Sequence, residues 1–359
     1  MTRAPRCPDR PARFAIGAFG RPNPGGFPPS HSRAARRVDR SVYSRGVTHP
    51  SSTRSAPAVP AAPASAAITI QFVLTGIVWG SSFLFMKIAL EGLSSAQVVW
   101  SRLVLGAVTL GLFVLVRRDS LPRNIRTWGH MSVLALSFYL VPFLLFAWAQ
   151  QYVSSGLASI YNATTPIMTA VMAWLVFRVE KLGAAQIAGI LVGILGVMVI
   201  IAPWQGLDLS QSLIAQLAIL GATACYGFSL AYMRRFASHT GMSALVFSFV
   251  NIAIAATVML LLTPVVALSP ISLDPVIVGC LLVLGCVGTG VAYVWNQNVL
   301  RAWGPTRAST VTYITPVVGV VLGIIVLGEQ LGWNEPAGAL LVFLGILLAQ
   351  NRLRRRPRT

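Results

Sequence analysis

Charge is scarce in this chain. Of its 359 residues only 10% are Asp, Glu, Lys or Arg, against roughly 25% in a soluble domain. With a mean hydropathy of +0.71, that excludes an ordinary cytosolic enzyme. Acids are scarcer still, nine against 28 Lys and Arg. Cysteine is sparse and unpaired: Cys7, Cys225, Cys280 and Cys286 form no C-x-x-C pair, so neither a disulfide framework nor a zinc site is indicated. The last three lie in apolar runs and read as packing residues. Histidine is missing where chemistry would need it. His31 and His49 precede the first apolar stretch, His130 and His239 stand at the ends of stretches, and no Asp or Glu lies deep inside one. An intramembrane enzyme would lack a general base or a ligand set, so no metal, cofactor or catalytic residue is expected.

The net charge of +19 invites a nucleic-acid reading, but its distribution opposes one. Eleven Arg precede residue 68 and five follow Gln350, whereas nucleic-acid binding needs Lys and Arg on a solvated face of a fold. Residues 1–67 are rich in Pro, Arg, Ser, Ala and Gly without apolar periodicity. Such a segment cannot bury enough surface to offset chain entropy and is expected to be disordered. No continuous apolar core of a secretory signal occurs before Ile68. An organelle transit peptide and a start codon assigned too far upstream both fit this segment. With 26 Arg against two Lys, a GC-rich bacterial genome is indicated.

What the chain does have is apolar length. From Ile68 onward, stretches of about 18–25 residues recur at 68–90, 95–116, 128–149, 155–177, 183–202, 212–233, 241–263, 275–299, 305–327 and 333–350. Each can cross a hydrocarbon core about 30 Å thick. Near-continuous apolarity demands helices, since barrel strands would alternate apolar and polar residues. The expectation is an all-α polytopic membrane protein with ten transmembrane helices. Loop charges agree: with the N-terminus inside, every second connection holds all the loop Lys and Arg. The other side holds Glu91, Asp208, Asp274, Glu329 and Glu335 and no basic residue. Positive loops face the cytoplasm, so both termini are expected there.

The halves of this region resemble each other. At an offset of about 147–150 residues, Trp79-Gly-Ser-Ser-Phe-Leu-Phe-Met-Lys87 lies over Tyr226-Gly-Phe-Ser-Leu-Ala-Tyr-Met-Arg234, and Trp148-Ala-Gln150 over Trp295-Asn-Gln297. Ala158-Ser159, Thr165-Pro166, Glu180, Gly189 and Gly196 lie over Ala308-Ser309, Thr315-Pro316, Glu329, Gly338 and Gly345. Five spans per half is an odd number, so the second half must enter from the opposite side. That is the inverted repeat of secondary transporters, whose sites lie near the midplane between halves. The expected layout is a basic tail at 1–67, repeats at 68–202 and 212–350, a linker at 203–211 and a basic cytoplasmic tail at 351–359.

The W-G-x-x-F opening of the first span, Arg102 in the second, the A-S-x(6)-P helix followed by E-x(8)-G-x(6)-G, and the duplication together resemble EamA-type members of the drug/metabolite transporter superfamily. The resemblance covers about residues 68–350. It departs where Arg178-Val179 stands in place of small residues before Glu180. It implies a ten-helix inverted-repeat carrier of the inner membrane, commonly an exporter of amino acids or other small metabolites. A pore-like or accessory subunit is the alternative, and a homodimer stays open.

Polar and aromatic residues inside spans are the candidate site. Tyr139, Trp148, Asn162, Tyr293, Gln297 and Tyr313 would bind an amphipathic substrate, as aromatic walls with a few amides do. Pro166 and Pro316 are expected to bend their helices. An ionisable group in a span is a functional candidate by default. Lys87 lies near the outer end of the first span, and Arg102, seven residues into the second, is about 10 Å below that end. Arg102 either snorkels to the interface or joins Lys87 and Glu91 in an outer ion-pair gate.

Overall fold

The computed structural model describes residues 66–178, 182–205, 211–237, 241–303, 308 and 310–350. The tail before Ala66, most of the linker, the C-terminal basic segment and Glu180 lie outside the described residues. Among the described residues every regular element is helical. Apart from the one-turn pieces Pro203–Gln205 and Thr263–Val266, in chain order they are α1 (Ala66–Ala89), α2 (Ser95–Arg117), α3 (Ile125–Ala149), α4 (Ser155–Asn162), α5 (Thr165–Leu175), α6 (Ala184–Ile201), α7 (Gln211–Phe236), α8 (Ala244–Leu261), α9 (Pro275–Trp303), α10 (Val311–Leu327) and α11 (Asn334–Gln350).

Local chemistry sets where these helices begin. The Ser94 hydroxyl accepts from the Gln97 amide while the Gln97 side chain accepts from the Ser94 amide, at 3.3 and 2.9 Å. This reciprocal cap opens α2. Ser154, Ser243 and Asp274 cap α4, α8 and α9 from one side. Pro166 stands in the first turn of α5, where its missing N–H leaves no intrahelical bond unmade. The span expected at 155–177 is therefore two helices, broken at Ala163–Thr164. Pro316 behaves differently, for it sits inside α10, which runs unbroken from Val311 to Leu327.

α1, α2, α3, α6, α7, α8 and α9 are each long and apolar enough to cross a membrane, and α10 and α11 are shorter apolar helices. Their outward faces bear bare large side chains: Leu115 and Ile325 are each 73% exposed and Leu191 60%. A water-facing surface does not tolerate apolar patches on that scale. Polar side chains turn inward instead, with Arg102, Gln150, Asn251 and Thr289 all buried. The inside-out distribution defines a multi-pass membrane protein.

The helices pack in matched pairs. α1 lies against α10 and α9, while α7 lies against α5 and α3; α2 meets α9, while α8 meets α3. Under the sequence offset each contact maps onto its counterpart. α6 and α11 form the most intimate pair. A methyl group on Gly189 would lie 2.5 Å from the Gly345 carbonyl oxygen, and one on Gly196 would lie 2.7 Å from that of Gly338. Bare glycines thus let the two backbones touch, the usual way helices associate in lipid. The partner number falls as the residue number rises, so the two helices run antiparallel.

Candidate functional site: a buried arginine among aromatic rings

The centre of the bundle is built around irregular turns. Residues Val283–Val291 of α9 and Ala135–Leu140 of α3 are π-helical, a widened geometry that frees carbonyls and often marks functional positions. In α9 the Thr289 hydroxyl donates to the Leu284 carbonyl at 2.9 Å. It also accepts the Nε–H of Arg102 at 2.7 Å. The indole N–H of Trp79 in α1 donates to the Gly288 carbonyl of the same turn at 3.2 Å.

Arg102 is 6% exposed, and its guanidinium carbon lies 3.8 Å from the ring centroid of Phe143. Its titratable neighbours are the phenols of Tyr293 and Tyr226. The described carboxylates, Glu91, Asp119, Asp274, Glu329 and Glu335, all stand in loops or at helix ends. Insertion scales put a bare arginine at midspan at about 2.5–3.5 kcal/mol. A desolvated cation–π contact of about 2 kcal/mol and a charge-assisted hydrogen bond of about 1.5–3 kcal/mol are large enough to hold it there without a counter-ion.

Around the arginine lies a continuous aromatic cluster. Tyr139 and Tyr293 have ring centroids 5.0 Å apart, Trp79 packs on Tyr293 at 5.1 Å, and Tyr226 stacks on Phe146 at 6.1 Å. Phe138 touches Tyr139, Tyr226 and Tyr293. Two of these contacts are repeat-related: Trp79 aligns with Tyr226, and Tyr293 with Phe146.

Of the six residues expected at the substrate site, the structure brings Tyr139 and Tyr293 into contact and disperses the rest. Trp148 packs on Tyr152 toward the α3 C-terminus, and Tyr313 packs on Phe343. Asn162, half-buried, ends α4, with its carbonyl accepting from the Thr165 hydroxyl. Gln297 is half-buried on α9, one turn past Tyr293. Trp79, Phe138, Phe143, Phe146, Tyr226 and Thr289 join the site without having been singled out. A signal existed for Trp79 and Tyr226, which head the two copies of the repeat motif.

The expected ion-pair gate is not assembled. Arg102 neither snorkels nor meets Lys87 and Glu91, because Thr289 and Phe143 hold it inward. Lys87 Nζ donates instead to the carbonyls of Gln150 at 2.5 Å and Val153 at 2.9 Å, just past the end of α3. Beside it Glu329, which follows α10, accepts from the amides of Ser155 at 2.6 Å and Gly156 at 2.9 Å. A carboxylate from the second half thus caps a helix of the first, and Glu329 and Glu91 both act electrostatically on Lys87. A groove of about 210 Å³ lined by Ile167, Gly193, Ile194, Val197 and neighbours opens on the apolar exterior and offers a polar ligand nothing.

A many-helix membrane protein whose two halves pack in matched pairs around buried polar and aromatic residues belongs to the class of integral membrane transporters. The chain is a member of the EamA-like transporter family, whose model matches residues 43–202 and again 213–350. It is similar to the uncharacterized transporter YoaV of Bacillus subtilis (strain 168), 24% identical over 78% of this chain and 96% of that protein. It is also similar to the uncharacterized inner membrane transporter YedA of Escherichia coli (strain K12), 27% identical over 72% of this chain and 82% of that one. One crystal structure matches with a TM-score of 0.56 at 18% identity over 80% of this chain and 99% of that chain, a likeness of fold alone.

Proposed function

We propose that the chain is a carrier of small amphipathic metabolites, an exporter of the cytoplasmic membrane. In this reading ten spans form two inverted five-helix repeats, at 68–202 and 212–350, and rock about a site between them, with both termini cytoplasmic. The observation that carries it is the pair of repeat-related ring contacts, Trp79 with Tyr293 and Tyr226 with Phe146. Each joins one half to the other at the depth of Arg102. The antiparallel meeting of α6 and α11 is what inverted halves require, and the alternation of basic loops supports the orientation. The relatives named above, an uncharacterized transporter and an inner membrane transporter, agree with the class.

Binding at the centre of the cluster makes Tyr139 and Tyr293 the substrate walls. Lys87 and Glu329, each joining elements at one end of the bundle, form the barrier on the outer side. Counterflow in proteoliposomes tests the reading. Preloaded unlabelled substrate should drive transient uptake of label in the native chain, and Tyr139→Ala or Tyr293→Ala should reduce it at least tenfold with protein content unchanged. Leakage of label without counterflow would favour a pore. A screen of export phenotypes across amino acids, nucleobases and organic acids supplies the substrate.

A further inference from the structure

We infer that Arg102 receives the carboxylate of the transported molecule, so that the substrates are small organic monoanions with an aromatic or branched apolar body. The inference rests on the carrier reading and adds a substrate class to it. Thr289 engages Nε and Phe143 covers one face of the guanidinium, so two contacts fix its plane. Among the described residues the Nη groups have no hydrogen-bond partner. An arginine clamped at Nε presents its Nη edge as a planar fork, which matches the two oxygens of a carboxylate.

The charge count narrows the ligand. Arg102 lies eight residues past the cap Ser94 in α2, and the residue eight past the cap Ser243 in α8 is Asn251. That neutral amide is turned to the Phe247 carbonyl and the Met131 sulfur. The repeat therefore contributes one cation to the centre. Lys87, the other candidate, is held by two carbonyls and offset by Glu329 and Glu91. One carboxylate neutralises one guanidinium, whereas a phosphate dianion would leave excess negative charge where the dielectric is low. A cationic molecule would be repelled, and a neutral carbonyl would accept from the Nη edge without neutralising its charge, the weaker of the two kinds of hydrogen bond. Trp79, Tyr139, Phe146, Tyr226 and Tyr293 supply the apolar enclosure for the rest of such a ligand.

Calorimetry on the purified chain tests this with acids and their own amides: phenylacetate, indole-3-acetate, benzoate and 4-methylpentanoate, with inorganic phosphate as a further probe. At least one acid should bind tenfold or more tightly than its amide, with phosphate failing to displace it. Arg102→Gln should abolish the preference and Arg102→Lys should keep it at reduced affinity. Thr289→Val, which retains the charge and frees Nε, should weaken it several-fold, and it decides the matter if Arg102→Gln does not fold. Equal binding of acid and amide, no binding by any acid, displacement by phosphate, or a preference that survives both Arg102→Gln and Thr289→Val would overturn the inference. Counterflow separates the two claims. Arg102-dependent binding of an acid without counterflow sinks the carrier and sustains the anion site. Counterflow of an amide that is indifferent to Arg102→Gln does the reverse.

Discussion

At the scale of single residues, charge at one end of the bundle works through backbone groups rather than through ion pairs. Glu329 stands where the first turn of α4 leaves amides without intrahelical acceptors, and its two oxygens take those of Ser155 and Gly156. Negative charge at a helix N-terminus adds about 0.3–1 kcal/mol to a cap worth about 1 kcal/mol. Glu329→Gln keeps one acceptor and loses the charge. Amide exchange at Ser155 and Gly156, followed by mass spectrometry, should rise about fivefold, the equivalent of about 1 kcal/mol; unchanged exchange would mean that the carboxylate does not hold α4. Sequence made Lys87 and Arg102 conspicuous because charge in an apolar run is rare. It did not reveal their partners. Thr289 is 187 positions from Arg102, and the Lys87 acceptors are carbonyls, which every residue carries.

At the scale of elements, hydrophobic length foretold most spans, because the thickness of the hydrocarbon core sets that length. The π-helical turns and the break between α4 and α5 escaped, since apolar residues look alike whether their backbone is α, π or interrupted. Pro166 and Pro316 occupy matching places in the repeat yet do different things, one opening a helix and the other lying within one. The glycines that align between the halves come together in space. Gly189 and Gly196 meet Gly345 and Gly338 across the α6–α11 contact, where any side chain must displace backbone, and overpacking costs about 1–3 kcal/mol or more. Gly189→Leu should lower the thermal midpoint of the purified chain by several degrees. Gly129→Ala, at an exposed α3 position with nothing within 4 Å, should leave the midpoint unchanged or raise it. Equal effects of the two substitutions would show that the α6–α11 approach contributes little.

For the whole molecule, the placement of charge bears on what drives transport. Proton-driven carriers carry a carboxylate or histidine through a change of access at membrane depth, because protonation neutralises a group too costly to move bare. Here the described carboxylates stand in loops or at helix ends, and Arg102 does not release a proton in any biological range. Lys87, the other basic side chain within a span, lies at one end of the bundle and is engaged by two carbonyls. If the monoanion inferred above is the substrate and Arg102 stays in place, the substrate crosses the membrane with net charge and feels the membrane potential directly. With the cell interior negative, the potential would push such an anion outward, so export of the proposed substrate would need no other coupling. In proteoliposomes, an inside-positive potential of about 60 mV set by a potassium gradient supplies about 1.4 kcal/mol per charge, so labelled phenylacetate should accumulate about tenfold. Protein-free vesicles correct for passive entry of the protonated acid, and Arg102→Gln should abolish the protein-dependent part. A potential should therefore outweigh a pH gradient as the driving force. Accumulation that follows an imposed pH gradient, ignores the potential and persists in Lys87→Met would defeat this account, since beside Arg102 no described carboxylate, histidine or amine stands to carry the proton.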